Sequence, residues 1–288
     1  MSLRFTKMHG LGNDYVYIDC FEQRLDDVDR PALARAMSDR HRGIGSDGLI
    51  LIAPSEADVS ADVRMEMYNA DGSRGEMCGN GIRCVAKYAI EHGRVARSSA
   101  TTQGVRVQTD RGVLVLTTTI RDGVVGDVRV DMGPPILSPD AIPVALPGEQ
   151  CVRARLDVGG EPLRMTCVSM GNPHAVVFVD ALDAVDMARL GPKVERHALF
   201  PNRTNFHVVC VQPRSEAAMR TWERGSGLTM ACGTGACAVL VAGVLEDRLD
   251  RTALIHLPGG DLRIEWPQDG SVFMTGPATE VFTGVWPT

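Results

Sequence analysis

The stretch "MCGNGIRCVA" at residues 77–86 places a cysteine directly before a Gly-Asn-Gly segment and an apolar run, and "MACGTGACA" at residues 230–238 repeats this arrangement. Glycines on both sides of the central residue let the backbone approach a bound group closely. The apolar run predicts a helix whose first N–H groups are unpaired and attract negative charge. Such a helix end also lowers the pKa of a cysteine placed on it. Cys78 and Cys232 are therefore candidate thiolates beside anion-binding backbone groups.

The two cysteine segments belong to a longer internal repeat. "MEMYNADGSRGEMCGNG" at 65–81 aligns without a gap with "MRTWERGSGLTMACGTG" at 219–235. Upstream, "GLGNDYVYID" at 10–19 resembles "MGNPHAVVFVD" at 170–180. Several matches in the same order predict two homologous halves related by a pseudo-twofold axis.

The predicted fold class is α+β (mixed α/β), with two pseudo-symmetric halves. In each half mostly antiparallel strands wrap around a central helix, and the active-site cleft lies between the halves. Amphipathic spacing predicts helices at 30–40 and 183–200, and further helices follow the two cysteines. Turn residues between alternating apolar runs predict hairpins at 105–120 and 254–267.

A segment rich in Pro and Gly at 131–143 marks the expected boundary between the halves. The expected N-terminal half is 1–131, joined by the C-terminal segment 277–288. The expected C-terminal half is 132–276.

Composition excludes several classes of function. A net charge of −6 does not indicate the positively charged surface that binds nucleic acid. No apolar run is long enough to cross a bilayer, and the first residues lack the apolar core of an export signal. We therefore expect a cytoplasmic protein whose eight cysteines are reduced thiols. No C-x-x-C occurs and the histidines are scattered, so no metal site is expected.

Two thiols suggest a specific chemistry. Halves that face each other would bring both helix starts to one cleft, where two thiols could flank one substrate carbon. One thiolate would remove a proton and the opposite thiol would return one, which inverts the centre. Backbone N–H groups would stabilise the negative charge that develops. No metal or organic cofactor is then required.

Four segments, "KMHGLGNDYV", "NADGSRGEMCGNGIRC", "MGNPHAV" and "ERGSGLTMACGTGACA", together resemble the diaminopimelate epimerase family over essentially the whole chain. The resemblance implies a PLP-independent isomerase that interconverts LL- and meso-2,6-diaminopimelate, a precursor of lysine and peptidoglycan. It implies a small-molecule amino-acid substrate, no cofactor and a homodimer.

The resemblance also implies roles for individual residues. Cys78 matches the proton donor and Cys232 the proton acceptor in the LL-to-meso direction. His174 and Glu223 match groups that adjust the cysteine pKa values, and Arg224 matches the partner of the distal carboxylate. The positions that match the family's substrate-binding groups are Asn13, Asn69, Gly79, Asn80, Asn172, Asn205, Glu223, Arg224, Gly233 and Thr234.

One position departs from the family pattern. Many members carry Gln where "GIGSDGL" has Gly48, and that Gln touches substrate. We therefore expect a backbone or water contact at this point instead of a side-chain contact.

Two other functions fit part of the pattern. A cysteine-nucleophile hydrolase or acyltransferase would use Cys232 beside a histidine, but it leaves Cys78 unexplained. A proline-racemase-like enzyme would share both cysteines, but it would be expected to show "MCGHG" and to lack the Glu223–Arg224 pair. Uptake of solvent deuterium at the substrate α-carbon distinguishes an epimerase from a hydrolase.

Overall fold

Helices and strands follow the local sequence signals in the computed structural model, which describes residues 2–268 and 270–287. The helices are α1 (Arg30–Ser38), α2 (Gly79–Glu91), α3 (Met187–Glu195) and α4 (Gly233–Leu245), with a 3-10 turn at Leu182–Ala184. The strands of the first part of the chain are β1 (Ser2–Gly10), β2 (Asn13–Asp19), β3 (Gly48–Ala53), β4 (Val63–Asn69), β5 (Arg74–Gly75), β6 (Thr102–Thr109), β7 (Gly112–Arg121) and β8 (Val124–Asp131). Those of the remainder are β9 (Ala154–Asp157), β10 (Pro162–Ser169), β11 (Pro173–Phe178), β12 (Asn205–Val211), β13 (Glu216–Glu223), β14 (Gly227–Thr229), β15 (Thr252–Leu257), β16 (Gly260–Glu265), β17 (Phe273–Gly276) and β18 (Thr279–Pro287).

The chain separates into two compact units. The first comprises Met1–Val130 and Thr275–Thr288, and the second comprises Asp131–Met274. In the first unit the strands pair in the order β18-β1-β2-β3-β4-β6-β7-β8. The pairs β2–β3 and β4–β6 are parallel and the others are antiparallel. This sheet wraps around α2, which contacts β1, β2, β4, β6 and β7.

The second unit repeats this plan. Its strands pair in the order β9-β10-β11-β12-β13-β15-β16, with β11–β12 and β13–β15 parallel. The sheet wraps around α4, which contacts β10, β11, β12, β15 and β16. The α+β class and the repetition of one plan of mostly antiparallel strands around a helix are as predicted.

The central helix of the second unit is apolar on every side. Val239, Leu240 and Val241 are fully buried, and burial of each such side chain contributes about 1.5–3 kcal/mol. A helix that presents no polar face has to lie inside the fold. It therefore fixes the position of its own N-terminus, where Cys232 is found.

Most local predictions are confirmed, and one helix is shorter than predicted. The helix at 30–40 is α1, and both predicted hairpins form with their turns as expected. The helix predicted over 183–200 is confined to α3, because the Asp186 carboxylate accepts from the Arg189 N–H and starts the helix there. In the described chain no helix is both long and apolar enough to span a membrane.

Candidate active site

Each of the two cysteines is the N-cap residue of a central helix. Cys78 has φ −129° and ψ 121° before α2, and Cys232 has φ −124° and ψ 102° before α4. This extended conformation turns the side chain back toward the unpaired N–H groups of the first helical turn. The Cys78 sulfur accepts a hydrogen bond from the Gly81 N–H at 3.4 Å. The helix starts predicted from the sequence are thus in place, with Gly79 and Gly233 as their first residues.

The third residue of each helix has no space for a side chain. A Cβ at Gly81 would lie 2.6 Å from Ile50 Cδ1, and a Cβ at Gly235 would lie 2.5 Å from His207 Cε1. The strand below each helix therefore approaches its first turn closely. That strand contributes an aliphatic residue in the first unit and a histidine in the second.

Asn13 and Asn80 lie beside Cys78 in the first unit. Asn13 Oδ1 is 3.3 Å from the Cys78 sulfur and 3.3 Å from Asn80 Nδ2. Asn13 Nδ2 donates to the Asp47 carboxylate at 2.7 Å. Because a carboxylate only accepts hydrogen bonds, the Asn13 amide is oriented with its oxygen toward the thiol.

A network of charged groups holds Asp47 in position. Arg40 donates to Asp47 at 2.8 Å and to Asp14 at 2.7 Å, and Lys7 pairs with Asp14. Although burial of the Asp14 carboxyl would raise its pKa, the hydrogen bonds from Arg40 and Lys7 lower its pKa below the usual value. The acceptor that orients Asn13 is thus anchored by Arg40, which Asp47 shares with Asp14.

Arg83 secures the start of α2 from inside the fold. Its side chain is completely buried, and it donates to the carbonyl oxygens of Gly79 and Pro277 at 3.1 Å each and to Asn80 Oδ1 at 3.0 Å. The Asn80 side chain is therefore held between Arg83 and Asn13. The backbone N–H of Asn80 is directed to the cysteine and lowers the pKa of the thiol.

The expected low pKa of the two thiols is wrong for both cysteines. Burial raises the pKa of Cys78, although the Gly81 and Asn80 N–H groups and the Tyr15 hydroxyl partly offset that effect. Burial and the neighbouring Glu223 carboxylate raise the pKa of Cys232 well above its usual value, against opposing contributions from Thr234 and Gly235. The helix ends act in the expected direction, but desolvation is larger.

Cys232 is only 4% exposed, with its sulfur 3.7 Å from Thr234 Oγ1. Glu223 accepts a hydrogen bond from Thr229 at 2.6 Å. Arg220 pairs with Asp183. Glu223 lies within hydrogen-bonding reach of Cys232 and contributes a negative charge there.

Asn172 and His174 are joined by a hydrogen bond in the second unit. His174 Nε2 is 3.0 Å from Asn172 Oδ1, and His174 Nδ1 is 2.9 Å from His207 Nε2. His207 Nδ1 lies 3.0 Å from Thr221 Oγ1. His174 thus approaches the start of α4 through His207, which packs under Gly235.

Asn205 and Arg224 form a third group. The Asn205 amide donates to the Pro173 carbonyl at 2.8 Å and accepts from the Arg224 N–H at 2.9 Å. The Arg224 guanidinium donates to the Asn202 carbonyl at 3.1 Å and forms no ion pair with the described part of the chain. Both polar ends of the Asn205 side chain are used within the protein, so it positions Arg224.

Asn69 forms its side-chain hydrogen bond within the turn after β4. Its amide donates to Ser73 Oγ at 2.9 Å and stabilises the turn between β4 and β5. No hydrogen bond of the described residues joins Asn69 to Cys78. Gly48 pairs with Asn69 across β3 and β4, and a side chain at Gly48 would overlap the Tyr68 carbonyl oxygen.

Sequence reasoning missed Tyr15, Asp47, His207 and Thr221. The internal repeat contained a signal for Tyr15, because "GNDY" aligned with "GNPH" places Tyr15 opposite His174. The other three become neighbours of the site only through strand pairing. Among residues 2–268 and 270–287, no group of three or more His, Cys, Asp or Glu side chains has the arrangement of a metal site.

Comparison with known sequences gives a consistent result. The family model described as diaminopimelate epimerase matches residues 5–138 and 166–281. A diaminopimelate epimerase of Acetivibrio thermocellus is 50% identical over 283 residues, which cover 98% of each chain. One from Pelotomaculum thermopropionicum is 50% identical over 285 residues, which cover 99% of each chain.

Solved structures with little sequence identity share the fold. A Bacillus anthracis phenazine biosynthesis protein of the PhzF family matches with a TM-score of 0.71 at 15% identity, covering 100% of both chains. A probable proline racemase from Agrobacterium radiobacter matches with a TM-score of 0.69 at 14% identity, covering 98% of this chain and 92% of that one. At these identities the likeness concerns the fold alone.

Proposed function

The chain belongs to the diaminopimelate epimerase family and is an isomerase, and on that premise we propose that it interconverts LL- and meso-2,6-diaminopimelate with Cys78 and Cys232 as its two acid–base groups. The reaction would supply a precursor of lysine and peptidoglycan. The observation that carries the proposal is that Cys78 and Cys232 are the N-caps of α2 and α4, the matching helices of the two repeats.

In the LL-to-meso direction, the Cys232 thiolate removes the proton from the substrate α-carbon. The Cys78 thiol then donates its proton to the opposite face of that carbon. The products are a neutral Cys232 thiol and a Cys78 thiolate, so the next turnover requires proton exchange or the reverse reaction. Each enzyme form contains one thiol and one thiolate, which is a coupled titration.

The surroundings of Cys78 support its role as the donor. The Asn13 oxygen lies 3.3 Å from the sulfur and accepts from a thiol but not from a thiolate. Burial also raises the pKa of Cys78. Both features favour the protonated form.

The surroundings of Cys232 support its role as a strong base. Burial and Glu223 raise the pKa of this thiol, and a thiolate with a higher pKa binds a proton more tightly. The driving force for removing the α-proton is therefore larger, while a smaller fraction of Cys232 is ionised. The N–H groups at the two helix starts would stabilise the negative charge that develops on the substrate carboxylate.

The decisive experiment follows solvent deuterium during the first turnovers of LL-diaminopimelate in heavy water. With two bases, deuterium appears in the meso product while the recovered LL substrate stays unlabelled. Equal labelling of both would show that one group exchanges its proton with solvent, and would contradict the two-cysteine mechanism. Release of fragments or an acyl-enzyme would favour the hydrolase alternative.

Cysteine variants test the assignment directly. We expect Cys78→Ala and Cys232→Ala each to lower kcat at least about 1000-fold, since each removes one of two obligatory proton carriers. The matched control is Cys210→Ala, at a half-buried cysteine whose thiol contacts the Asp180 carbonyl, and it should retain activity. Substantial turnover by either of the first two variants would contradict the proposal. As the family resemblance implies, we also propose a homodimer, which sedimentation equilibrium tests.

A further inference from the structure

Three buried polar side chains form a chain of hydrogen bonds that ends at Asn172. Thr221, His207 and His174 are each at most 3% exposed. The contacts are Thr221 Oγ1 to His207 Nδ1 at 3.0 Å, His207 Nε2 to His174 Nδ1 at 2.9 Å, and His174 Nε2 to Asn172 Oδ1 at 3.0 Å. We call Thr221, His207 and His174 the relay.

The internal repeat shows that the fold does not require the relay. Strand pairing places Ile50 opposite Met67 in the first unit, as it places His207 opposite Thr221 in the second. Ile50 and His207 also pack under the third residue of α2 and of α4, respectively. The first unit therefore forms the same local packing with two apolar side chains.

Burying a polar pair in place of an apolar pair costs desolvation free energy, and the hydrogen bonds of the polar pair serve mainly to offset that cost. The second unit thus keeps His207 and Thr221 at positions where apolar residues suffice for packing. A contribution to the site, rather than to folding, accounts for their presence.

The hydrogen bonds of the relay all run in the same sense, which the placement of the Asn172 oxygen against His174 selects. Burial lowers the pKa of His174 well below its usual value and that of His207 to about 3, so both rings are neutral. Each neutral ring then has one donor and one acceptor nitrogen. Since Asn172 Oδ1 accepts, His174 carries its proton on Nε2 and accepts through Nδ1. His207 in turn donates through Nε2, and its Nδ1 accepts from the Thr221 hydroxyl.

We propose that the relay fixes the side-chain amide of Asn172 with its NH2 group presented to a substrate carboxylate oxygen. This inference rests on the proposed function. The relay holds the Asn172 oxygen, and its Nδ2 forms no hydrogen bond with residues 2–268 and 270–287. Asn172 precedes Pro173, which restricts its backbone to extended conformations and limits other placements. His207 and Thr221 are positioning residues that act through His174.

The equivalent asparagine of the first unit has the opposite orientation. Asn13 donates to Asp47 through Nδ2, and its oxygen faces the Cys78 thiol. Asn13 therefore accepts from a thiol or an ammonium group, whereas Asn172 donates to an anion. The two repeats would thus recognise different groups of a substrate that carries both charges.

Nitrogen-15 NMR of the histidine rings measures the direction of the relay in the intact protein. Between pH 7 and 8 we expect His174 and His207 both to be neutral and protonated at Nε2. Protonation of both rings at Nδ1 would mean that Asn172 presents its oxygen instead, and a charged ring would break the chain. Either result would overturn the proposal.

Substitutions at Thr221 test the function of the relay. Thr221→Val preserves shape but removes the hydroxyl that donates to His207, so the Asn172 amide is free to rotate. We expect KM for diaminopimelate to rise about tenfold, the effect of one lost hydrogen bond to a charged group, with kcat changed less than about twofold. Thr221→Ser keeps the hydroxyl and should restore the wild-type KM and ring signals.

A matched control separates positioning from stability. Thr118 is a fully buried threonine of the first unit whose hydroxyl donates to the Gln103 carbonyl. Thr118→Val should lower stability by an amount similar to Thr221→Val and leave KM unchanged. Equal KM effects in both variants, or none in Thr221→Val, would overturn the proposal.

The outcomes for the relay and for the proposed function are distinguishable. A wild-type protein that does not epimerise diaminopimelate refutes the proposed function, whereas the NMR measurement still decides the orientation of Asn172. A protein that epimerises diaminopimelate with both rings protonated at Nδ1 refutes the relay alone.

Discussion

Tyr15 lies directly against Gly48: a side-chain carbon at position 48 would come within 2.8 Å of Tyr15 Cε1. The same carbon would overlap the Tyr68 carbonyl oxygen. The ring of Tyr15 thus occupies the space that a side chain at position 48 would need. Its hydroxyl forms a hydrogen bond with Cys78. The sequence-based expectation of a backbone or water contact at Gly48 stays a prediction, and Tyr15 provides a protein group nearby.

Gly48→Ala should destabilise the protein by about 2–3 kcal/mol, because the added carbon meets a carbonyl oxygen of a paired strand that cannot move away. Chemical denaturation measures the free energy of unfolding. The control is Gly104→Ala, at a strand glycine where the nearest atom is 3.9 Å away, and it should be neutral or stabilising. Equal stabilities for the two variants would contradict this close packing at Gly48.

Tyr15→Phe should raise the pKa of Cys78, since it removes a hydroxyl that stabilises the thiolate. Burial keeps the pKa of Tyr15 itself well above its usual value, so the phenol remains a donor throughout the working pH range. Cys78 is the base in meso-to-LL conversion. We therefore expect the rate of this reaction to reach its half-maximal value at a higher pH. Tyr88→Phe removes a hydroxyl that bonds to Asp19 and should leave the pH profile unchanged.

Glu223→Gln should lower the pKa of Cys232, because it removes the neighbouring negative charge that, after burial, raises it most. Alkylation by iodoacetamide in a Cys78→Ala background, followed by mass spectrometry of the peptide that contains Cys232, reports the Cys232 thiolate. The midpoint of the alkylation rate against pH should move to lower pH in Glu223→Gln. It should not move in Glu216→Gln, which changes a half-exposed residue of the same strand. A midpoint that rises or does not move would exclude Glu223 as the cause.

Arg83→Met should cost about 3–5 kcal/mol of stability, because it removes the donor of three hydrogen bonds, two of which go to the buried residues Gly79 and Asn80. Arg189→Met breaks an exposed ion pair with Glu161 and should cost less than about 1 kcal/mol. Urea unfolding of both variants provides the comparison. A small loss in Arg83→Met would show that α2 begins at Gly79 without this support.

Local signals were sufficient to predict the framework of the site. The glycines after Cys78 and Cys232 and the apolar runs that follow set the helix starts, because helix nucleation and capping depend on neighbouring residues. The match between 65–81 and 219–235 revealed the repeat. The length of the helix predicted at 183–200 was overestimated because the apolar spacing also includes residues before the cap at Asp186.

By itself the sequence determined which helices carry the thiols, because each cysteine directly precedes its helix along the chain. Only the tertiary structure decided the pKa direction of the thiols and the orientation of the two asparagine amides. Desolvation is set by everything that packs around a sulfur, and it outweighed the helix ends at both cysteines. Asp47 and His207 reach their asparagines through strand pairing and side-chain contact, over separations in sequence at which no local pattern operates.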